Sequence, residues 1–144
     1  MQKENISRTY LILNLENNDI VAYFTLAIKA MKLREQHNIS TNKKKDLKTR
    51  VDSGFDDELF FCFLIGQIGR NDSYTKETIR LEGILNYVFA YINEVKSLIG
   101  GRIILIEVEG DDSDTLINRY KSVGFDSFGK LEDLTQLMIF TKSY

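Results

Sequence analysis

A single cysteine, a single histidine, no proline and a net charge of only −2 in 144 residues remove several classes of protein at once. With Cys62 alone, no internal disulfide can form, and a reducing cytoplasm is the expected setting. Cys62 lies in an apolar run, where a thiol reads as inert packing rather than as a nucleophile. His37 lies in a polar stretch, so neither a clustered Cys/His zinc centre nor a well-placed Ser-His-Asp base is available. A Walker glycine-lysine loop and a Gly-x-Ser-x-Gly elbow are both missing. No stretch reaches the ~18 consecutive apolar residues of a membrane helix. The polar opening residues Met1, Gln2, Lys3, Glu4 and Asn5 are not followed by a signal peptide. The near-neutral balance withholds a global nucleic-acid footprint, with Lys43, Lys44 and Lys45 the one local concentration of charge. Asp111, Asp112 and Asp114 stand at an expected helix start, where carboxylates cap and complement the dipole; no metal site is expected.

What remains is an ordinary soluble composition, 43% hydrophobic and 28% charged, read as one domain over residues 1–144. Residues 9–15 and 20–28 are rich in β-formers around the turn residues Glu16, Asn17, Asn18 and Asp19, which predicts an antiparallel hairpin. Residues 31–57 are polar and weakly periodic, a short helix or a loop. Residues 58–70 are too uniformly apolar for a half-exposed strand and are expected at the centre of a sheet, covered on both faces. Ile84, Leu85, Val88, Phe89, Ile92, Val95 and Ile99 recur at helical spacing, and Gly100 is placed to end that helix. A buried strand is expected over 103–108. A second helix follows, with Leu116, Ile117 and Tyr120 as its apolar positions and Gly124 at its end. Residues 131–141 supply one or two final strands. The order ββ(α)βαβαβ(β) implies a mixed α/β sheet with a parallel centre.

Two segments carry a resemblance. The strand Ile65-Gly66-Gln67-Ile68-Gly69-Arg70-Asn71 runs through a polar loop into a helix containing Gly83, and the later helix closes on Asn118-Arg119-Tyr120-Lys121-Ser122-Val123-Gly124-Phe125. In element order over residues 8–141, and most sharply over 65–125, the chain resembles the GNAT family of N-acetyltransferases. The resemblance implies the GNAT-like acyl-CoA N-acyltransferase fold, with acetyl-CoA as co-substrate and an amine as acceptor. It implies that the backbone around Ile68, Gly69 and Arg70 receives the pantetheine arm and supplies amides to the oxyanion. The pyrophosphate would sit on a loop and helix start over 74–83, involving Lys76, Thr78, Ile79, Arg80, Leu81, Glu82 and Gly83. The family's Gln/Arg-x-x-Gly-x-Gly/Ala turn is only partly kept, with Thr78 and Leu81 replacing its first and second signature residues. Tyr120 matches the tyrosine that reprotonates the departing thiolate. Ser113 or Asp114 stands near the family's cofactor-binding asparagine. Glu58 and Glu107 lie on the right strands for a general base, and a water relay would serve equally.

The glycine-bearing strand and the Tyr-x-x-x-Gly-Phe helix most resemble the branch of acetyltransferase toxins that modify aminoacyl-tRNA. The expected acceptor is a small-molecule, aminoacyl or peptide amine; nucleic acid is not expected beyond a charged tRNA, and no membrane partner is expected. A non-catalytic GNAT-like module that binds CoA or a partner is the alternative. Because the chain enters the family pattern at its second strand, an N-terminally abbreviated sheet is expected to expose Tyr10, Ile12 and Phe24. Such a surface predicts a homodimer.

Overall fold

The computed structural model describes residues 7–32, 59–99, 103–110, 114–131 and 133–141. Strand β1 (Arg8–Leu13) turns into β2 (Ile20–Lys32), and β3 (Leu59–Arg70) follows. Helix α1 (Leu81–Ile99), strand β4 (Ile103–Glu109) and helix α2 (Thr115–Val123) come next, before β5 (Asp126–Leu131) and β6 (Leu134–Phe140). One six-stranded sheet has the order β1-β2-β3-β4-β6-β5. Only β3 and β4 pair in parallel; the other neighbours are antiparallel.

Local chemistry sets these boundaries. The β1–β2 turn closes with Asn14 N–H donating to the Asp19 carbonyl at 2.9 Å, while the Asn14 and Asn17 side chains accept from the amides of Glu16 and Asp19 at 3.0 Å. Asn18 takes the left-handed conformation (φ 61°) that asparagine tolerates. Asp114 caps α2 by accepting from Leu116 N–H at 2.9 Å. Gly124 ends α2 at φ 122°, where its N–H reaches the Lys121 carbonyl. The hairpin, the long helix and both core strands therefore stand where the sequence places them. Strand β2 continues through Lys32, into the stretch expected to be helix or loop. The remainder of that stretch, with His37 and Lys43 to Lys45, lies outside the described residues, as do Glu58, Gly100, Asp111, Asp112 and Ser113.

Both faces of the sheet carry core. On one face Ala22, Phe24, Phe63, Ile65, Ile104, Ile106 and Leu137 pack with Leu81, Ile84, Leu85, Val88 and Ile92 of α1 and with Ile117 and Tyr120 of α2. On the other, Cys62, Ile103, Leu105, Met138, Met31 and Phe128 form a smaller cluster. Consecutive burial of Ile103, Ile104, Leu105 and Ile106 is the signature of a strand covered on both sides. Each such side chain removed from water contributes about 1.5–3 kcal/mol.

Two expectations need correction. Leu116 is exposed, because Ile117 and Tyr120, three apart, define the inward face of α2 and leave their neighbour outside. Phe24 is fully buried, and Tyr10 and Ile12 pack against the same cluster. The cover is Tyr91 of α1, whose ring centroid lies 4.5 Å from that of Tyr10 and 5.8 Å from that of Phe24. The exposed apolar side chains in this region are instead Leu11, Leu13, Leu15 and Ile20.

Candidate active site

The feature that organises the site is a fork in the sheet. Strands β3 and β4 pair at Phe63↔Ile104, Leu64↔Leu105 and Ile65↔Ile106, and no further. Beyond that point residues 66–70 stay with β2, and residues 107–109 stay with β6. The register explains the parting. Thr25 of β2 stands opposite two residues of β3, Gly66 and Gln67, between the partners Phe24↔Ile68 and Leu26↔Ile65. An extra residue on one strand bends it and increases its twist, and here it turns β3 away from β4. Thr25 Oγ1 accepts from Gln67 N–H at 2.7 Å and fixes the bulge. A Cβ at Gly66 would meet that hydroxyl at 2.6 Å, and one at Gly69 would run into the Tyr23 ring, so a larger residue at either place would force the facing side chain to move.

The ladder also decides which amides face the opening. Asn71 N–H donates to the Val21 carbonyl at 2.8 Å. Alternation then turns Gly69 N–H toward β2, and Ile68 and Arg70 N–H away from it, into the fork. Two of the three expected oxyanion amides therefore point into the opening, while that of Gly69 is committed to the sheet.

The connection from β3 to α1 is tied down from below. Tyr74 Oη donates to Asp19 Oδ2 at 2.8 Å, Asn71 Nδ2 to the Ile20 carbonyl at 2.7 Å, and Arg70 Nη1 to the Ile79 carbonyl at 3.2 Å. Arg70 thus braces the loop. The Thr78 amide is consumed by a turn onto the Thr75 carbonyl at 3.0 Å, and Ile79 N–H leans on the same oxygen at 3.4 Å. Glu77 is held below the usual carboxylate range, first by the Thr75 side chain and then by its own backbone amide. The first bond of α1 runs from Ile84 N–H to the Arg80 carbonyl, so the amides of Leu81, Glu82 and Gly83 have no acceptor within the helix. These three, with the positive end of the dipole, are the part of the loop that could hold an anion. Lys76 and Arg80 are exposed beside it, whereas the side chains of Ile79 and Leu81 turn into the core.

Tyr120 lies in the same buried cluster as Ile65, Ile106 and Leu81, so the two sequence segments share one core on the helix side of the sheet. Its ring meets Phe125 edge-on, with centroids 5.7 Å apart. Burial pushes its phenol up to about 12, with the Arg119 charge pulling weakly the other way. Arg119 is a residue the sequence reading left without a role. Its Nη2 lies 3.6 Å from Glu82 Oε2 and joins α2 to the first turn of α1. Its position directly before Tyr120 was the only available signal. Thr25 and Tyr23, which shape the bulge, gave none.

Sheet order, the single parallel pair, the bulge and the fork define the GNAT-like fold, a mixed six-stranded sheet with two described helices. Comparison with solved structures agrees. A structure described as a bacterial toxin superposes with a TM-score of 0.70 at 10% identity, covering 94% of this chain and 68% of that one. The toxin AtaT in complex with acetyl-methionyl-tRNAfMet gives 0.67 at 17% identity, covering 94% and 72%. A tyrosine-to-phenylalanine variant of KacT gives 0.63 at 16% identity, covering 94% and 72%. At these identities the likeness is one of fold. No protein-family model matches the sequence, and no curated protein is significantly similar to it. Among the described residues no helix is long and apolar enough to cross a membrane.

Proposed function

We propose that this chain is an N-acetyltransferase that moves an acetyl group from acetyl-CoA to a primary amine by direct attack. The observation that carries the proposal is the fork beyond Ile65 and Ile106, with its bulge at Gly66 and Gln67 and a helix N-terminus at the end of the same strand. The pantetheine arm would lie in the fork and pair with β3 in place of β4. The amides of Leu81, Glu82 and Gly83 would take the pyrophosphate, with Lys76 and Arg80 adding charge. Ile68 and Arg70 N–H would hold the oxyanion, and the Tyr120 hydroxyl would donate to the leaving sulfur. Such a site works by proximity and by amides already aimed at the developing charge.

Neighbours include AtaT solved with acetyl-CoA in its AtaTR complex and KacTA solved with DNA. With AtaT also solved with acetyl-methionyl-tRNAfMet, a nucleic-acid-bearing acceptor is weighed here more heavily than net charge alone suggested, charged tRNA being the one nucleic acid already expected. The acceptor class proposed is the free amine of an aminoacyl group, a peptide or a small molecule, with charged tRNA the first to be tried. Incubation with radiolabelled acetyl-CoA and bulk charged tRNA, deacylated tRNA or a peptide amine tests this. Label on any amine supports transfer, and label on charged but not deacylated tRNA assigns the aminoacyl class. Glu82 favours the second reading, a module that binds CoA or a partner without catalysis. It sets a carboxylate in the first turn, where the phosphate would sit. Acetyl-CoA binding without transfer to any amine selects that reading.

A further inference from the structure

The loop between β3 and α1 hangs from the β1–β2 turn. Asn71 makes the first attachments, its N–H donating to the Val21 carbonyl at 2.8 Å and its Nδ2 to the Ile20 carbonyl at 2.7 Å. Its own oxygens then fold the chain back. Oδ1 accepts from Ser73 N–H at 3.0 Å, and the carbonyl accepts from Tyr74 N–H at 2.9 Å. Tyr74 in turn reaches the hairpin, where its hydroxyl donates to Asp19 Oδ2 at 2.8 Å. At the far end of the loop, Arg70 Nη1 donates to the Ile79 carbonyl at 3.2 Å. The segment that leads to the free amides of Leu81, Glu82 and Gly83 is therefore tied near both ends.

Burial orders only part of this loop. Ile79 and Leu81 pack into the core, but residues 72, 73 and 75–78 are exposed, so polar ties must set their conformation. Asp19 offers such a tie from a firm support. Its N–H donates to Asn17 Oδ1 at 3.0 Å and its carbonyl accepts from Asn14 N–H at 2.9 Å, which fixes its backbone and leaves the carboxylate to Tyr74. Of the ties named here, only Tyr74 to Asp19 joins two side chains. The others use a backbone group on at least one side and come with the fold.

We propose that Asp19 and Tyr74 are positioning residues for the pyrophosphate of acetyl-CoA. Their hydrogen bond holds the loop over 71–80 in the shape that presents the amides of Leu81, Glu82 and Gly83, and neither side chain touches the cofactor. This rests on the acetyl-CoA reading above. A loop already in its bound shape loses less freedom when the ligand arrives, and the affinity for the part of the ligand it holds rises accordingly. The pantetheine arm, lying along β3, draws nothing from this tie.

The test is amide NMR titration with acetyl-CoA and with S-acetylpantetheine, which lacks the pyrophosphate. It is run on the intact chain, Tyr74→Phe, Asp19→Ala and Asp19→Asn. Acetyl-CoA should shift the amide signals of Leu81, Glu82 and Gly83 in the intact chain. Tyr74→Phe and Asp19→Ala should each weaken acetyl-CoA about three- to tenfold, the share of a charge-assisted bond that an exposed pair retains. S-acetylpantetheine should stay within about twofold throughout, because its binding does not use the loop. Asp19→Asn keeps an oxygen that accepts from the hydroxyl, so its acetyl-CoA affinity should lie nearer that of the intact chain. Equal acetyl-CoA affinity in the folded variants overturns the positioning role and leaves the acetyl-CoA reading standing. An equal loss for both ligands also overturns it, since that marks a general structural effect. Should Tyr74→Phe fail to fold, Asp19→Ala against Asp19→Asn decides alone. An intact chain that takes neither ligand overturns the acetyl-CoA reading and this proposal with it.

Discussion

Tyr120 carries the most chemistry for a single side chain. A phenol raised to about 12 stays protonated across the neutral range and is always available as a donor. A thiolate leaving group of ordinary pKa, about 8.5, is too weak a base to strip it outright. In the proposed reaction the hydroxyl would therefore act by hydrogen bonding to charge as it develops, an interaction made in the transition state rather than the ground state. Replacement of Tyr120 by Phe should lower kcat by about 10²–10⁴-fold and leave the acetyl-CoA Kd within a few-fold, since the ring contact with Phe125 persists. An unchanged rate with a good amine would leave Tyr120 a packing residue only. Burial also gives the molecule a defined alkaline limit. The Cys62 thiol is pushed up from 9.0 to about 12, chiefly by burial, and Tyr120 from 10.0 to about 12. Between those values the folded chain holds protons that the unfolded chain has released, so stability falls as pH rises. Each group contributes a slope of about 1.4 kcal/mol per pH unit, starting near pH 9 for Cys62 and near pH 10 for Tyr120. Urea titrations at a series of alkaline pH values should show this, with Cys62→Ala removing the earlier part and Tyr120→Phe the later. A flat profile in the intact chain would contradict the burial argument.

At the scale of elements, the bulge in β3 sets the site, and its glycines are the sensitive points. Gly66→Ala drives a methyl group into Thr25 Oγ1, the acceptor of the Gln67 amide. It should cost about 1–3 kcal/mol in thermal or urea melts and weaken acetyl-CoA binding at the same time. Stability and affinity both unchanged would show that the bulge is not what holds the fork open. The elements themselves were legible because their signals are local. The stripe Ile84, Leu85, Val88 and Ile92 of α1 is buried as its spacing predicts, and Asp114 and Gly124 bound α2 through their own backbone chemistry. The candidate site was read as a strand end running into a helix start, and that juxtaposition was legible where its contacts were not. Thr78 and Ile79 were expected to offer amides that the Thr75 carbonyl takes, and Arg70 was expected at the cofactor where it also braces the loop. The ties that arrange the loop and bulge join residues 42 and 55 positions apart, and the Lys29–Glu107 pair spans 78. Register across strands creates such contacts, and local spacing carries no trace of register. Leu116 misled for the opposite reason, an apolar residue beside the stripe rather than on it.

For the whole molecule, the sheet of the described residues ends at β1 on one side, with Leu11, Leu13 and Ile20 each close to half exposed along or beside that edge. Tyr10 and Ile12 face the helix side, so Leu11 points to the other, where apolar area lies beside a strand edge that, among the described residues, has no neighbouring strand. Edges of this kind template pairing with another strand. The expected result is a homodimer through this margin, read by light scattering at micromolar concentration, with Leu11→Lys shifting the equilibrium toward monomer. A monomer mass for the intact chain would contradict it. The account as a whole depends on the fork, the open amides of α1 and Tyr120 together receiving one cofactor. Calorimetric titration of acetyl-CoA into the intact chain tests that directly. The account predicts saturable binding with one molecule per chain, weakened by Gly66→Ala and insensitive to Tyr120→Phe. No heat of binding under conditions where the chain is folded would contradict it.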